Sequence, residues 1–272
     1  MFSRSNPIIY IRNESNGFMS DGDITSLIPA VQRQVTEHFQ PVWGYGAQLI
    51  FAKENIPPDA YEIVVYETAR DEADAGYLGY HFSPDGYPVA AIFARDDIEK
   101  DRSISVTLSH EVLEMLIDPA CNLYAYRPSA VGRPERIYFY EVCDAVQCVH
   151  YDIDGVNVCD FVHPEWFEHN WPAGSRKFDH CGRVERPFQV LRDCYASVYE
   201  AKRGSFVVWG SGEVARRGNH RSQVRKNGLH FGEQDDVLFR IEVRQRRKAA
   251  GALVAQHHAQ GASGGCQVQA RS

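Results

Sequence analysis

The spacing of apolar residues divides the chain into a few elements before any single residue is weighed. Between Asp23 and Phe39, the positions Ile24, Leu27, Ile28, Val31, Val35 and Phe39 recur at helical intervals, which predicts a packed amphipathic helix. The run Gln40-Pro41-Val42-Trp43-Gly44 is expected to break it. Two apolar runs follow, Ala47 to Ala52 and Tyr61 to Thr68, separated by Pro57, Pro58 and Asp59, and are expected to be neighbouring strands. Gly76 to Gly86 reads as a loop rich in Gly, Tyr and His, and Tyr87 to Ala94 as a further strand. From Ile104 to Ile117 the helical period returns, with Ile104, Leu108, Val112, Met115 and Leu116 on one side and Pro119 ending the run. Asn122 to Glu135 is a polar connection suited to covering a cleft, and Tyr138 to Val142 leads into a second polar cluster. Val149 to Val158 alternates around Asp154-Gly155, the signature of a β-hairpin. The succession predicts an α+β fold.

The polar side of the 104–117 helix changes the picture from architecture to chemistry. At about 100° per residue, with His110 at zero, Glu114 falls near about 40°, Asp118 near about 80° and Glu111 near about 100°. One imidazole and three carboxylates therefore share a narrow stripe, expected to face a cleft. H-E-x-x-E arises by chance in roughly one chain in twenty, so the motif alone is weak. Its flanks strengthen it, because no Lys or Arg stands between Ser103 and Tyr126. Three uncompensated carboxylates beside a histidine call for a cation.

Zinc-peptidase chemistry needs a His ligand, a Glu one residue later as general base, and a second ligand one helical turn on. His110, Glu111 and Glu114 match that spacing, with Glu114 where a second histidine usually stands. Downstream, Tyr138-Phe139-Tyr140-Glu141-Val142-Cys143-Asp144 resembles the later element of thermolysin-like gluzincins. That resemblance implies Glu141 as third metal ligand and Asp144 as the carboxylate that orients the ligating histidine. Asp144 itself, or Asp118, is an alternative third ligand, since Glu141 and Asp144 are three apart where the gluzincin pair is four apart. The compound pattern H-E-V-x-E-x-x-x-D-P with E-V-x-D-x-V, over roughly residues 105 to 170, is also similar to uncharacterised bacterial and phage proteins and to plant exordium-like proteins.

The resemblance implies a zincin-like amino-terminal sheet with an active-site helix, followed by a smaller mixed region holding the hairpin. It implies a metallopeptidase acting on a peptide or protein substrate, with Zn2+ as cofactor; a carboxylate-rich shell also suits Mn2+ or Ca2+. The alternative is a catalytically inactive zincin-like binding or assembly protein, related to phage components. A His with two carboxylates leaves a divalent ion nearly neutralised, so slower hydrolysis or a more alkaline optimum is expected than with two histidines. In zincins the strand before the helix is an edge, so Val89 to Phe93 is the expected substrate-binding edge. The aromatic and histidine-rich stretch 163–181, with His163, His169 and His180, is expected to wall the cleft, and Tyr138, Tyr140 and Tyr151 are candidate oxyanion donors.

Composition adds bounds. The chain has 272 residues, 44% hydrophobic and 12% aromatic, enough for a full core. No apolar run is long enough to span a bilayer and the first seventeen residues lack a leader pattern, so no membrane partner is expected and the default location is cytoplasmic. The net charge of −7 is unevenly spread: residues 1–182 hold 13 basic and 28 acidic side chains, and 183–272 hold 16 basic and 8 acidic. That shift places a boundary near residue 200, giving a catalytic domain over 1–200, a basic extension over 201–248 and a disordered tail over 249–272. The basic residues from 216 to 248 offer a nucleic-acid contact but lack interleaved aromatics. Phe239 to Val243 could form a short strand. Seven cysteines without a C-x-x-C pair read as free thiols in a reducing compartment, or as a structural zinc site at Cys143, Cys148, Cys159 and Cys181. Asp152-Ile153-Asp154-Gly155 resembles the start of a calcium loop, without the later ligands.

Overall fold

The computed structural model describes residues 6–69, 77–83, 86–130, 132, 134–200 and 205–210, with 205–209 described by backbone alone. The basic extension beyond 210, the 239–243 strand and the 249–272 tail lie outside the described residues. The fold is mixed α+β, with a five-stranded sheet, a four-stranded sheet and a two-stranded hairpin.

The first strand, β1 (Ile8–Glu14), is one that periodicity did not single out. It leads into α1 (Asp21–Arg33), whose start is set by a capping box between Ser20 and Asp23. Ile24, Ile28 and Val31 of α1 are buried with Ile9 and Ile11 of β1. The expected break at Gln40 does not occur. The helix continues through a π-helical stretch, Gln34–Phe39, into α2 (Gln40–Trp43), and stops at Gly44 with φ of 75°. Pro41 sits in the first turn of α2, where its missing N–H costs little.

Next come β2 (Gln48–Phe51), β3 (Tyr61–Tyr66), β4 (Gly79–Phe82) and β5 (Val89–Phe93). The sheet order is β2-β1-β3-β5-β4. β2 and β3 are therefore not neighbours: each pairs in parallel with β1, which lies between them. β5 is interior, and the edge is β4, the single antiparallel strand, in the stretch expected to be loop. Its register places His81 opposite Ala90.

A short helix, α3 (Ala94–Ile98), turns the chain into α4 (Ile104–Ile117). Every residue of α4 is buried. One side packs on β4 and β5 and another on the hairpin formed by β8 (His150–Ile153) and β9 (Val156–Cys159). The polar stripe expected to face a cleft is thus enclosed. The hairpin turn is as expected, with Asp154 and Gly155 at φ of 54° and 85°. Asp154 pairs with Arg33, and Asp152 accepts the Gly155 amide, so both carboxylates serve the turn.

The second sheet, β11-β10-β7-β6, is antiparallel and consists of β6 (Tyr124–Arg127), β7 (Arg136–Phe139), β10 (Tyr195–Glu200) and β11 (Ser205–Gly210). The connection 122–135 is largely the β6 strand and its turn into β7 rather than a covering loop. The charge boundary near residue 200 falls between β10 and β11, which pair along six residues. One continuous apolar cluster runs from Ile9 to Val198. Cys148 and Cys194 are joined as a disulfide, whereas Cys121, Cys143, Cys159 and Cys181 are free. That pairing corrects the reading of all cysteines as free thiols and removes the four-cysteine zinc set. Among the described residues, no helix is long and apolar enough to cross a membrane.

Candidate metal centre

The site is assembled from α4, the edge strand β4 and the chain that follows β7. Serines fasten α4 to the hairpin: Ser105 Oγ donates to the Asn157 carbonyl at 2.6 Å, and Ser109 Oγ accepts the Cys159 amide at 2.8 Å. These bonds set the rotation of α4, and with it the direction of His110, Glu111 and Glu114. On the other flank β4 lies close because residue 79 is glycine. A Cβ there would stand 2.8 Å from Thr107 Cγ2 and 3.0 Å from Glu111 Oε1.

His81 enters between the two elements. Its Nδ1 is 3.5 Å from Glu111 Oε2 and 3.7 Å from Glu114 Oε2, and its Nε2 is 3.9 Å from Glu141 Oε2. His110 Nε2 lies 3.2 Å from Glu114 Oε2 and 3.5 Å from Asp144 Oδ1. Glu114 bridges the two imidazoles through Oε2, while its Oε1 accepts the Cys143 amide at 3.1 Å. Asp144 opens a short 3-10 turn, Asp144–Val146, and is hydrogen-bonded by the Tyr195 hydroxyl of β10. Two imidazoles and four carboxylates converge here, with side chains only 5–13% exposed.

Of the six residues marked in the sequence, five come together and one stands at the rim with another task. Asp118 Oδ1 and Oδ2 accept the amides of Asn122 and Leu123, each at 2.8 Å, and so fasten the turn after α4. The partner of His110 is Asp144, whereas Glu141 reaches His81 and is the most exposed member of the cluster. Two compact sets follow, each with its ligand atoms within 4.8 Å of one another: His110, Glu114 and Asp144, and His81, Glu111 and Glu114. Sequence reasoning missed His81 and Tyr195. An isolated histidine in a Gly-Tyr-His stretch has no spacing that ties it to α4; strand alternation in 79–82 was its one signal.

Other expected contributors lie elsewhere. Tyr138 packs on Trp166 and Phe188, Tyr140 stacks on Phe167 at 4.1 Å, and Tyr151 is bonded to Gln34 and His38. His180 stacks on His38 at 4.8 Å, with burial pushing its pKa down to about 4. His169 and Trp171 line a separate concavity with Arg127, Pro128 and Phe188.

The electrostatics describe a site short of positive charge. Burial pushes the Glu114 carboxyl up to about 8, reinforced by Asp144 and Glu141 against the pull of His110. Burial likewise raises Asp144 to about 6. Burial disfavours a charged His110, yet Glu114 and Asp144 hold it well above its ordinary value. His81 is raised in the same way, burial being outweighed by Cys121, Glu111 and Glu141. The ion pairs of Glu111, Glu114 and Asp144 within the described residues are with histidines alone. Two buried atoms, His81 Nε2 and Glu111 Oε2, also lack a hydrogen-bond partner among the described residues. A divalent cation would satisfy these donors and neutralise the carboxylates, so the residue set fits a metal.

No family model, curated protein or solved structure matches the chain.

Proposed function

We propose that the chain is a metal-dependent hydrolase of peptide bonds, with a zincin-like arrangement of edge strand and active helix. The observation that supports it most is the enclosed cluster of His81, His110, Glu111, Glu114, Glu141 and Asp144, in which the ion pairs of Glu111, Glu114 and Asp144 among the described residues are with histidines alone, and His81 Nε2 and Glu111 Oε2 have no hydrogen-bond partner there. His110, Glu114 and Asp144 would hold the ion. Zinc is the first choice, and the oxygen-rich shell also accommodates Mn2+ or Ca2+. When bound, such an ion acidifies water and polarises a carbonyl.

The remaining residues then divide the work. Glu111 accepts the proton of the attacking water, and His81 at 3.5 Å steadies that carboxylate and shares its charge. Tyr195 holds Asp144 through its hydroxyl, which fixes the carboxylate against His110. The substrate edge passes from Val89–Phe93 to β4, whose outer side ends the sheet and offers main-chain groups to an extended peptide. The closure of the cluster, with side chains 5–13% exposed, favours a second reading: a metal-stabilised binding or assembly protein without turnover.

Elemental analysis of untagged protein, with a peptide-library assay, separates the two. The hydrolase reading expects metal in wild type and in Glu111→Gln, none in His110→Ala, and cleavage that Glu111→Gln lowers by about 10²–10⁴-fold. Metal in wild type without any cleavage would leave the binding reading. No metal after soaking with zinc or manganese would end both.

A further inference from the structure

His110 belongs to a third compact set, on the side of α4 that meets β9 and the chain after β7. With Cys143 and Cys159 it places three ligand atoms within 4.8 Å of one another, all from buried residues. The two sulfurs are 3.5 Å apart. Neither thiol is part of the Cys148–Cys194 disulfide. From this we infer a second cation position, a soft-metal site formed by His110, Cys143 and Cys159, that takes zinc in preference to manganese or calcium.

Geometry, ligand chemistry and positioning support it. For Zn–S bonds of about 2.3 Å at a tetrahedral angle, two sulfurs stand about 3.8 Å apart, and a sulfur and an imidazole nitrogen about 3.6 Å. The observed 3.5 Å between sulfurs is within a few tenths of that spacing, and the imidazole nitrogen lies within 4.8 Å of both. Thiolate and imidazole select zinc, cadmium or cobalt over the hard cations that carboxylates prefer. The ligands also come from three separate segments, and both cysteine segments are fastened to α4, which carries His110. Ser109 Oγ fixes the Cys159 amide at 2.8 Å, and Glu114 Oε1 fixes the Cys143 amide at 3.1 Å. An ion there ties α4 to the hairpin and to the Cys143 turn, and so tightens the carboxylate cluster that shares His110. The inference does not require hydrolysis, since His110 is the one residue common to both sites.

X-ray absorption at the zinc edge, on the full chain loaded with zinc, tests it without a mutation. Sulfur scatterers at about 2.3 Å are expected, and a shell of oxygen and nitrogen alone overturns it while leaving the hydrolase reading intact. The paired test titrates Co2+ or Cd2+ into metal-free protein and follows the ultraviolet thiolate-to-metal charge-transfer band. The band should form in wild type and in Asp144→Asn, and be lost in Cys143→Ser and in Cys159→Ser. A band that survives in the double variant Cys143→Ser/Cys159→Ser, or a wild-type protein whose two thiols prove to be linked as a disulfide, overturns it. Loss of cleavage in Glu111→Gln with the band unchanged would separate this site from the catalytic one.

Discussion

At the scale of single residues, buried carboxylates set the pH behaviour. Asp160 and Asp179 are both fully buried, and each accepts two backbone amides: Phe161 and Cys181 for Asp160, Arg183 and Val184 for Asp179. Burial, then Asp179, pushes the Asp160 carboxyl from 3.8 up to about 8. The folded pKa lies above the unfolded one, so the native state holds this proton more tightly. Its contribution to stability is complete below about pH 4, declines as pH rises towards 8, and is level above. Asp160→Asn keeps an acceptor for the amides and removes the titration. Wild type should lose on the order of 4 kcal/mol between pH 5 and 8.5 relative to that variant, read from urea midpoints. Parallel pH profiles for the two proteins would refute the raised Asp160 carboxyl. The same physics, burial against charge, makes the His110 cluster a set of groups that could hold a cation.

Among the elements, the edge strand β4 decides whether the site closes. Gly79 seats it: an alanine Cβ would press on Thr107 Cγ2, the Ala91 carbonyl and Glu111 Oε1. Gly79→Ala is therefore expected to cost about 1–3 kcal/mol by overpacking and to push His81 away from Glu111 and Glu114. The check is a thermal melt with and without metal. Stability and metal-induced stabilisation equal to wild type would show that β4 has no part in holding the cluster. The α4 helix was legible because its apolar period and Pro119 are local features. Its full burial was not, because the segments that cover it, β4 and the β8–β9 hairpin, are brought there by tertiary structure.

For the molecule as a whole, two long-range links tie the second sheet to the site. Tyr195 of β10 bonds Asp144, and next to it Cys194 is joined to Cys148, just past the Asp144 turn. The disulfide closes a loop with a separation of 46 residues, which a chain-entropy estimate values at about 4 kcal/mol. Reduction should lower the melting temperature and weaken metal retention together, since β10 then anchors Asp144 less firmly. A melting temperature unchanged by reductant, with thiol counting to show that the bond has opened, would contradict this.

What the sequence alone determined is what local periodicity can encode. Helical spacing put His110, Glu111 and Glu114 on one face, the Asp154-Gly155 turn specified the hairpin, and continuous apolar runs marked the interior strands β3 and β5. Tertiary structure decided which distant segments meet. It inserted β1 between β2 and β3, made β4 the edge and so delivered His81, and chose Asp144 over Glu141 as the neighbour of His110. Parallel pairing follows crossover connections rather than sequence adjacency, and a side chain reached across such a crossover leaves no period in the sequence.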